Sequence, residues 1–165
     1  MNLVGLLDKP TSGKVILFDE VAPKPFSGKA TQLLRDKIGY LFQNFALVDN
    51  KSVEYNLKIA LEHVKCNKSE MIKDVLEEVG LEGFEKNKVY QCSGWEQQRI
   101  SIARLLLKPC DLVLCDEPTG SLDFDNKHII FDLLRKLKSQ SKSVVVVPMI
   151  KTWLRLPMQC WIWML

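Results

Sequence analysis

The apolar positions of this chain fall into two alternating patterns. Short β-branched or apolar runs read as buried strands: Lys14-Val-Ile-Leu-Phe18, Ile38-Gly-Tyr-Leu-Phe42, Leu112-Val-Leu-Cys115 and Val144-Val-Val-Val147. Between them, apolar residues recur at helical spacing. Ile72, Val75, Leu76 and Val79 follow the i, i+3, i+4, i+7 rule, with Ser69 placed to cap the helix and Gly80 to stop it. Ile129, Ile130, Leu133, Leu134 and Leu137 form a second stripe that leads straight into the Val144–Val147 run. Strands alternating with helices predict an α/β fold around a parallel sheet. Residues 50–110 break that rhythm and read as a helical insertion.

Both ends depart from the pattern. Leu3 to Leu7 reads as the last turns of a helix stopped by Lys9-Pro10. Pro148 to Leu165 shows neither period. It holds Trp153, Trp161 and Trp163, no acidic residue, and only Lys151 and Arg155 as charges. A length of 165 residues suits one domain. A net charge of +3 is too weak a bias to argue for a nucleic-acid or anionic-membrane partner. No apolar run approaches bilayer-spanning length, and the first residues lack the basic region of a signal peptide. Five cysteines without a C-x-x-C pair point away from a zinc site or disulfide framework and suit a reducing cytosol.

The chemistry concentrates in three places. Leu112-Val-Leu-Cys-Asp116-Glu117-Pro-Thr-Gly-Ser121-Leu-Asp123 is an apolar strand ending in two adjacent carboxylates. In open α/β sheets, ligands sit beyond the carboxyl ends of the strands. There the first carboxylate can hold Mg²⁺ through water and the second can orient an attacking water. The plainer alternative is a turn that merely ends a buried strand. Cys92-Ser-Gly-Trp-Glu-Gln-Gln-Arg99-Ile-Ser-Ile-Ala-Arg104 opens a helix at Ser93, with an expected apolar face of Ile100, Ala103, Leu106 and Leu107. Its N-terminus can attract an anion, and Ser93 with Glu96 can equally form a capping box; the two readings are compatible. Gln43, in Tyr40-Leu-Phe-Gln43-Asn-Phe, is an amide at a strand end that could reach a metal or a water, or could be an ordinary loop residue.

Taken together, the order Gln43, Ser93-Gly94-x-Glu96-Gln97-Gln98-Arg99, Asp116-Glu117-Pro118, Ser121-Leu122-Asp123 resembles the ATP-binding subunit of an ABC transporter over residues 1 to about 147. The resemblance implies a partial P-loop NTPase fold of the ABC type. It has a RecA-like core in residues 1–50 and 108–147, a helical subdomain at roughly 51–107, and an aberrant tail from 148 to 165. It implies ATP and Mg²⁺ as cofactors. Gln43 would match the loop residue that coordinates Mg²⁺ and senses the membrane partner. Ser93, Gly94 and Glu96 would belong to the signature motif, which contacts the γ-phosphate bound to the other subunit. Asp116 would lie near Mg²⁺, and Glu117 would be the catalytic base. Ser121 and Asp123 would belong to the segment spanning the dimer interface. The implied partners are a membrane-spanning transporter subunit and a second ATP-binding subunit, identical or different, with no nucleic acid. The implied place is the cytoplasmic, inner face of the cell membrane. The motif wording is similar to the lipoprotein, macrolide and bacteriocin export branch, and Ile38 to Asn50 leans toward bacteriocin or peptide export.

The sequence also departs from the family. No G-x-x-x-x-G-K-[ST] phosphate loop is present; Ser12-Gly-Lys14 reads as a turn before a strand and Ser27-Gly-Lys29 as a helix entry. In the family that loop would lie just upstream of Met1, so the chain resembles a domain begun from an internal start. Cys92 stands for the usual Leu and Trp95 for the second Gly of the signature motif. The indole would either crowd a nucleotide or pack outward on the helices. These departures point to a chain inactive by itself, with a non-enzymatic partner subunit or a decayed gene product as alternatives. The family's Thr-His-Asp after the last strand is replaced by Pro148-Met149-Ile150, while His63 and His128 fall in helical patterns. The codons CCN-ATG-ATH, prefixed by one A and read a base earlier, restore Thr, a potential His, and Asp. We therefore expect a single-base deletion near codon 148. Sequencing the locus checks this, and a close relative with Pro-Met-Ile in an unshifted gene would rule it out.

Overall fold

The structure is a computed structural model that describes residues 1–118 and 127–147. Its elements run β1 (Ile16–Leu17), β2 (Glu20–Val21), α1 (Gly28–Asp36), β3 (Ile38–Leu41), α2 (Val53–Ala60), α3 (Lys68–Glu78), a 3₁₀ turn at Val89–Gln91, α4 (Gly94–Leu107), β4 (Leu112–Asp116), α5 (Lys127–Ser139) and β5 (Ser143–Val147). Strands β3, β4 and β5 form a parallel sheet in that order. The register pairs Ile38 with Leu112, and Leu112 with Ser143.

Strand periodicity decides which residues face which layer. Leu41, Val113, Cys115, Val144 and Val146 turn toward α4 and α5 in one core, which continues through Leu57 of α2 and Leu76 of α3. Ile38, Tyr40, Leu114 and Val145 turn the other way, against α1 and the N-terminal turn carrying Leu6. The helices between β3 and β4 thus share a continuous core with the sheet. Gly39 permits a close approach: a Cβ there would lie 2.7 Å from Leu105 Cδ2 and 3.1 Å from Cys110 Sγ.

Two lysines close the ends of helices. Lys142 Nζ donates to the carbonyls of Leu105, Leu106 and Lys108 at 2.8, 3.2 and 3.0 Å. Lys108 Nζ donates to Leu34 and Ile38 carbonyls at 2.6 and 2.7 Å. Lys142 takes up carbonyls at the negative end of α4, and Lys108 takes up one in the last turn of α1 together with one at the start of β3. Burial lowers the pKa of both.

Several expectations need correction. Lys14–Phe18 is not a buried strand. Only Ile16–Leu17 is extended, paired antiparallel with Glu20–Val21 through Phe18 and Asp19 at φ 53° and 64°. Ile16 is 66% exposed, because this ribbon lies outside the parallel sheet. The cap of α3 is Asn67, whose side chain accepts the Glu70 amide, so Ser69 lies inside the helix. Gly80 does end it, at φ 67°. Helix α4 is buried beyond the expected face: Ile102 and Leu105 are enclosed too, and Leu107 is only half-buried, since layers pack on opposite sides of the helix. The Leu3–Leu7 segment makes helix-like turns, with the Gly5 amide on the Met1 carbonyl at 3.0 Å, but is not a regular helix. His63 lies in an exposed turn after α2 and not in a helix. The tail from 148 lies outside the described residues.

Because α4 and β3 meet across Gly39, Gly39→Ala is expected to cost about 1–3 kcal/mol of stability through overpacking. Urea unfolding checks this; an unchanged midpoint would show that Leu105 yields freely.

Candidate functional site

The site forms where the sheet ends. Leu41 pairs with Cys115, and Asp116 with Val147, so the residues following β3, β4 and β5 emerge along one carboxyl edge. Asp116 is the last residue of β4, and Glu117 follows it, its amide donating to the Val147 carbonyl at 2.9 Å. Glu117 has φ 48°, in the left-handed region. For a residue with a Cβ that conformation costs roughly 1–2 kcal/mol. Pro118 is buried, and its carbonyl accepts a 2.9 Å bond from the buried Gln98 amide of α4. Gln43 lies exposed in the turn just after β3, on the same edge as the two carboxylates. Ser121 and Asp123 lie outside the described residues.

Under this edge, Tyr40 stacks on Phe42 at 4.0 Å between ring centroids and 16° between planes. The pairing follows from strand period, since the two share a face. Burial raises the Tyr40 pKa, and the neighbouring Asp116 carboxylate raises it further. The two rings line a groove of about 500 Å³ that also takes in Leu34, Ile59 and Arg104.

At the start of α4, the capping box is formed. Ser93 Oγ accepts the Glu96 amide at 3.4 Å, and the Ser93 amide and hydroxyl donate to Glu96 Oε2 at 2.7 and 2.9 Å. The Glu96 carboxylate therefore already complements the positive end of the helix. Ser93 and Gly94 remain exposed. Trp95 is half-buried and packs against the larger core. Cys92 fills a buried position, and burial pushes its thiol pKa up, helped by Glu96.

Three residues to which the motif reading gave no role hold these parts in place. Gln98, Ser101 and Arg104 form a polar stripe with a spacing of three along α4. Ser101 Oγ donates to the Phe45 carbonyl at 2.9 Å. Arg104 donates to the Phe45 and Ala46 carbonyls at 3.1 and 2.7 Å. Polar residues recurring on an enclosed helix were the available signal, because buried polar groups need partners.

Comparison with known proteins bears on the family and the fold. The ABC transporter family model matches residues 1–120. The macrolide export ATP-binding/permease protein MacB of Mannheimia succiniciproducens is 33% identical over 150 residues, covering 89% of this chain and 23% of that protein. MacB of Acinetobacter baylyi gives the same identity and coverage. The solved dimeric post-hydrolysis structure of the ATP-binding cassette MJ0796 bound to ADP and Pi superposes with a TM-score of 0.77 at 32% identity, covering 89% of this chain and 67% of that one. The cbiO1 protein of Clostridium perfringens shares the fold, with a TM-score of 0.74 at 22% identity. This chain belongs to the ABC transporter family, and its fold is that of an ATP-binding cassette, a P-loop NTPase. It spans about a quarter of the length of the MacB relatives, at 23%. Among the described residues, no helix is long and apolar enough to cross a membrane.

The raised Tyr40 pKa has a spectroscopic consequence. Alkaline difference titration of the chain against Tyr40→Phe is expected to show this phenolate forming above the ordinary tyrosine range. Asp116→Asn should bring it part of the way down, because burial remains when the charge is gone. A Tyr40 ionising at the ordinary value would contradict the burial and the carboxylate contact.

Proposed function

We propose that this chain is the ATP-binding part of an ABC export transporter, whose cargo is a peptide, a bacteriocin or a lipophilic molecule. The observation that carries the reading is that Gln43, Asp116 and Glu117 emerge along one carboxyl edge of the sheet, while Ser93 is exposed at the start of α4. The MacB relatives, named for macrolide export, support export of a lipophilic cargo. The proposed partners are a membrane-spanning subunit and a second ATP-binding subunit, at the cytoplasmic face of the membrane, without nucleic acid.

Glu117 serves as the base that accepts a proton from the attacking water, and its left-handed backbone directs it out of the strand line. Magnesium fits the donors present. Asp116 and Gln43 offer carboxylate and amide oxygens, and this ion commonly takes one or two carboxylates and completes its shell with phosphate and water. Among the described residues, no group of three or more His, Cys, Asp or Glu suits an all-protein metal centre. When bound, the ion would neutralise charge on the phosphate oxygens. The Ser121-Leu122-Asp123 motif is proposed to serve the contact with the second subunit.

No G-x-x-x-x-G-K-[ST] segment lies within these 165 residues. We infer that they alone neither hold ATP tightly nor turn it over, since catalytic groups of this kind act as a unit. A second reading rests on Ser93 and Gly94, which stay exposed, although the indole of Trp95 beside them argues against it. In that reading the chain is a non-enzymatic subunit that presents its signature end to the nucleotide of a complete partner.

The purified chain with magnesium and ATP is expected to show no calorimetric uptake and no phosphate release. Turnover abolished by Glu117→Gln would overturn the inactivity and identify the base. With a complete ATP-binding subunit added, co-purification and stimulated hydrolysis that Ser93→Arg removes would support the second reading. Stimulation indifferent to both substitutions would refute both roles.

A further inference from the structure

We propose that Arg104 and Ser101 are positioning residues that clamp the loop after Gln43 onto α4, so that Gln43 and the Ser93 end of the helix move as one body. The functional meaning of the clamp rests on the reading of Gln43 and Ser93 as nucleotide-facing residues; the clamp itself does not. Three donors converge on two successive carbonyls. Arg104 Nη1 reaches Ala46 O at 2.7 Å, Arg104 Nη2 reaches Phe45 O at 3.1 Å, and Ser101 Oγ reaches Phe45 O at 2.9 Å. The planar guanidinium suits this bridging grip better than a single ammonium would.

The loop needs holding. Phe45 and Ala46 stand consecutively at φ 62° and 48°, a conformation that side chains with a Cβ disfavour. Arg104 forms no ion pair among the described residues, and burial lowers its pKa. Seating a guanidinium there against neutral carbonyls makes sense as a geometric device. The same loop meets α4 again further up: a Cβ on Gly94 would lie 4.0 Å from Phe45 Cζ. Gly94 and Arg104 are ten residues apart, so α4 spans about 15 Å between the two contacts. On the far side, Asn56 of α2 holds Val48, accepting its amide at 2.7 Å and donating to its carbonyl at 3.2 Å. A shift of α4 is therefore transmitted to Gln43, two residues ahead of the clamped carbonyls.

Hydrogen exchange followed by mass spectrometry on the full chain tests the clamp. Arg104→Met is expected to speed exchange of the amides of residues 44–47 by about ten-fold while the middle of α4 and β4 keep their protection. Arg104→Lys should fall between, since one ammonium cannot bridge as the fork does. Adding Ala46→Gly to Arg104→Met should restore at least part of the lost protection, because glycine accepts positive φ without help. If Arg104→Met does not fold, Ser101→Ala carries the test, with a smaller acceleration confined to the same amides. Unchanged loop exchange, an equal rise throughout the domain, or no response to Ala46→Gly overturns the clamp. The experiment needs neither nucleotide nor a membrane subunit. Stimulation of a complete subunit that is indifferent to Glu117→Gln and to Ser93→Arg would therefore refute the functional reading alone, and unchanged loop exchange would refute the clamp alone.

Discussion

A helix enclosed on more than one side cannot leave its polar side chains unpartnered, and α4 is such a helix. Gln98 and Ser101 are 2% and 0% exposed in the midst of Ile100, Ile102, Ala103 and Leu105. Burying an amide or hydroxyl without a hydrogen bond costs about 1–3 kcal/mol each. The structure meets that demand by turning each group toward backbone that has no regular ladder of its own. Gln98 takes the turn after Glu117, and Ser101 with Arg104 takes the loop after Gln43. Among the described residues, no buried side-chain nitrogen or oxygen is left without a partner. The constraint that keeps α4 buried also fixes the two segments that carry the candidate chemistry.

The sheet supplies the other half of the geometry. Parallel pairing in a single register brings three strand ends to one edge, so residues far apart in sequence become neighbours there without any direct attraction. Alternation then divides the same strands between two cores. Leu41 and Cys115 face α4, while Tyr40 and Leu114 face the N-terminal turn. Gly39 allows Leu105 to seat against β3, and Gly5 allows the N-terminal turn to seat against Tyr40, where a Cβ would lie 2.7 Å from the ring. Asp116 follows on the same face as Leu114, next to Tyr40 of the aromatic layer.

Charge is used sparingly and at ends. The ion pairs Arg35–Asp36, Lys37–Asp111 and Arg135–Asp132 sit at exposed positions and contribute little. Lys108 and Lys142 act differently, because their ammonium groups meet helix carbonyls in half-buried or buried settings. They stop α1 and α4 without glycine and let the chain run on directly into β3 and toward β4. At the opposite end of α4, Glu96 performs the complementary task for the free amides.

What the sequence determined by itself were the features that depend on neighbours along the chain. The apolar runs of β3, β4 and β5, the stripe of α5, the Ser93–Glu96 box and the Gly80 stop are all local rules of period and capping. Family membership was legible for a related reason: motif wording is linear, and it survives in Ser93-Gly94 and Asp116-Glu117 although Cys92 and Trp95 depart from it. Tertiary structure decided the rest. Lys14–Phe18 has strand composition, but it lies outside the parallel sheet, so it became an exposed two-residue ribbon. Asn67 displaced Ser69 as cap because either could begin the helix and only the surrounding fold set its start. The positive φ of Phe45, Ala46 and Glu117 could not be read from residue types that ordinarily avoid it. Those conformations exist because partners distant in sequence hold them or the turns beside them, and such partners have no signature in a linear string.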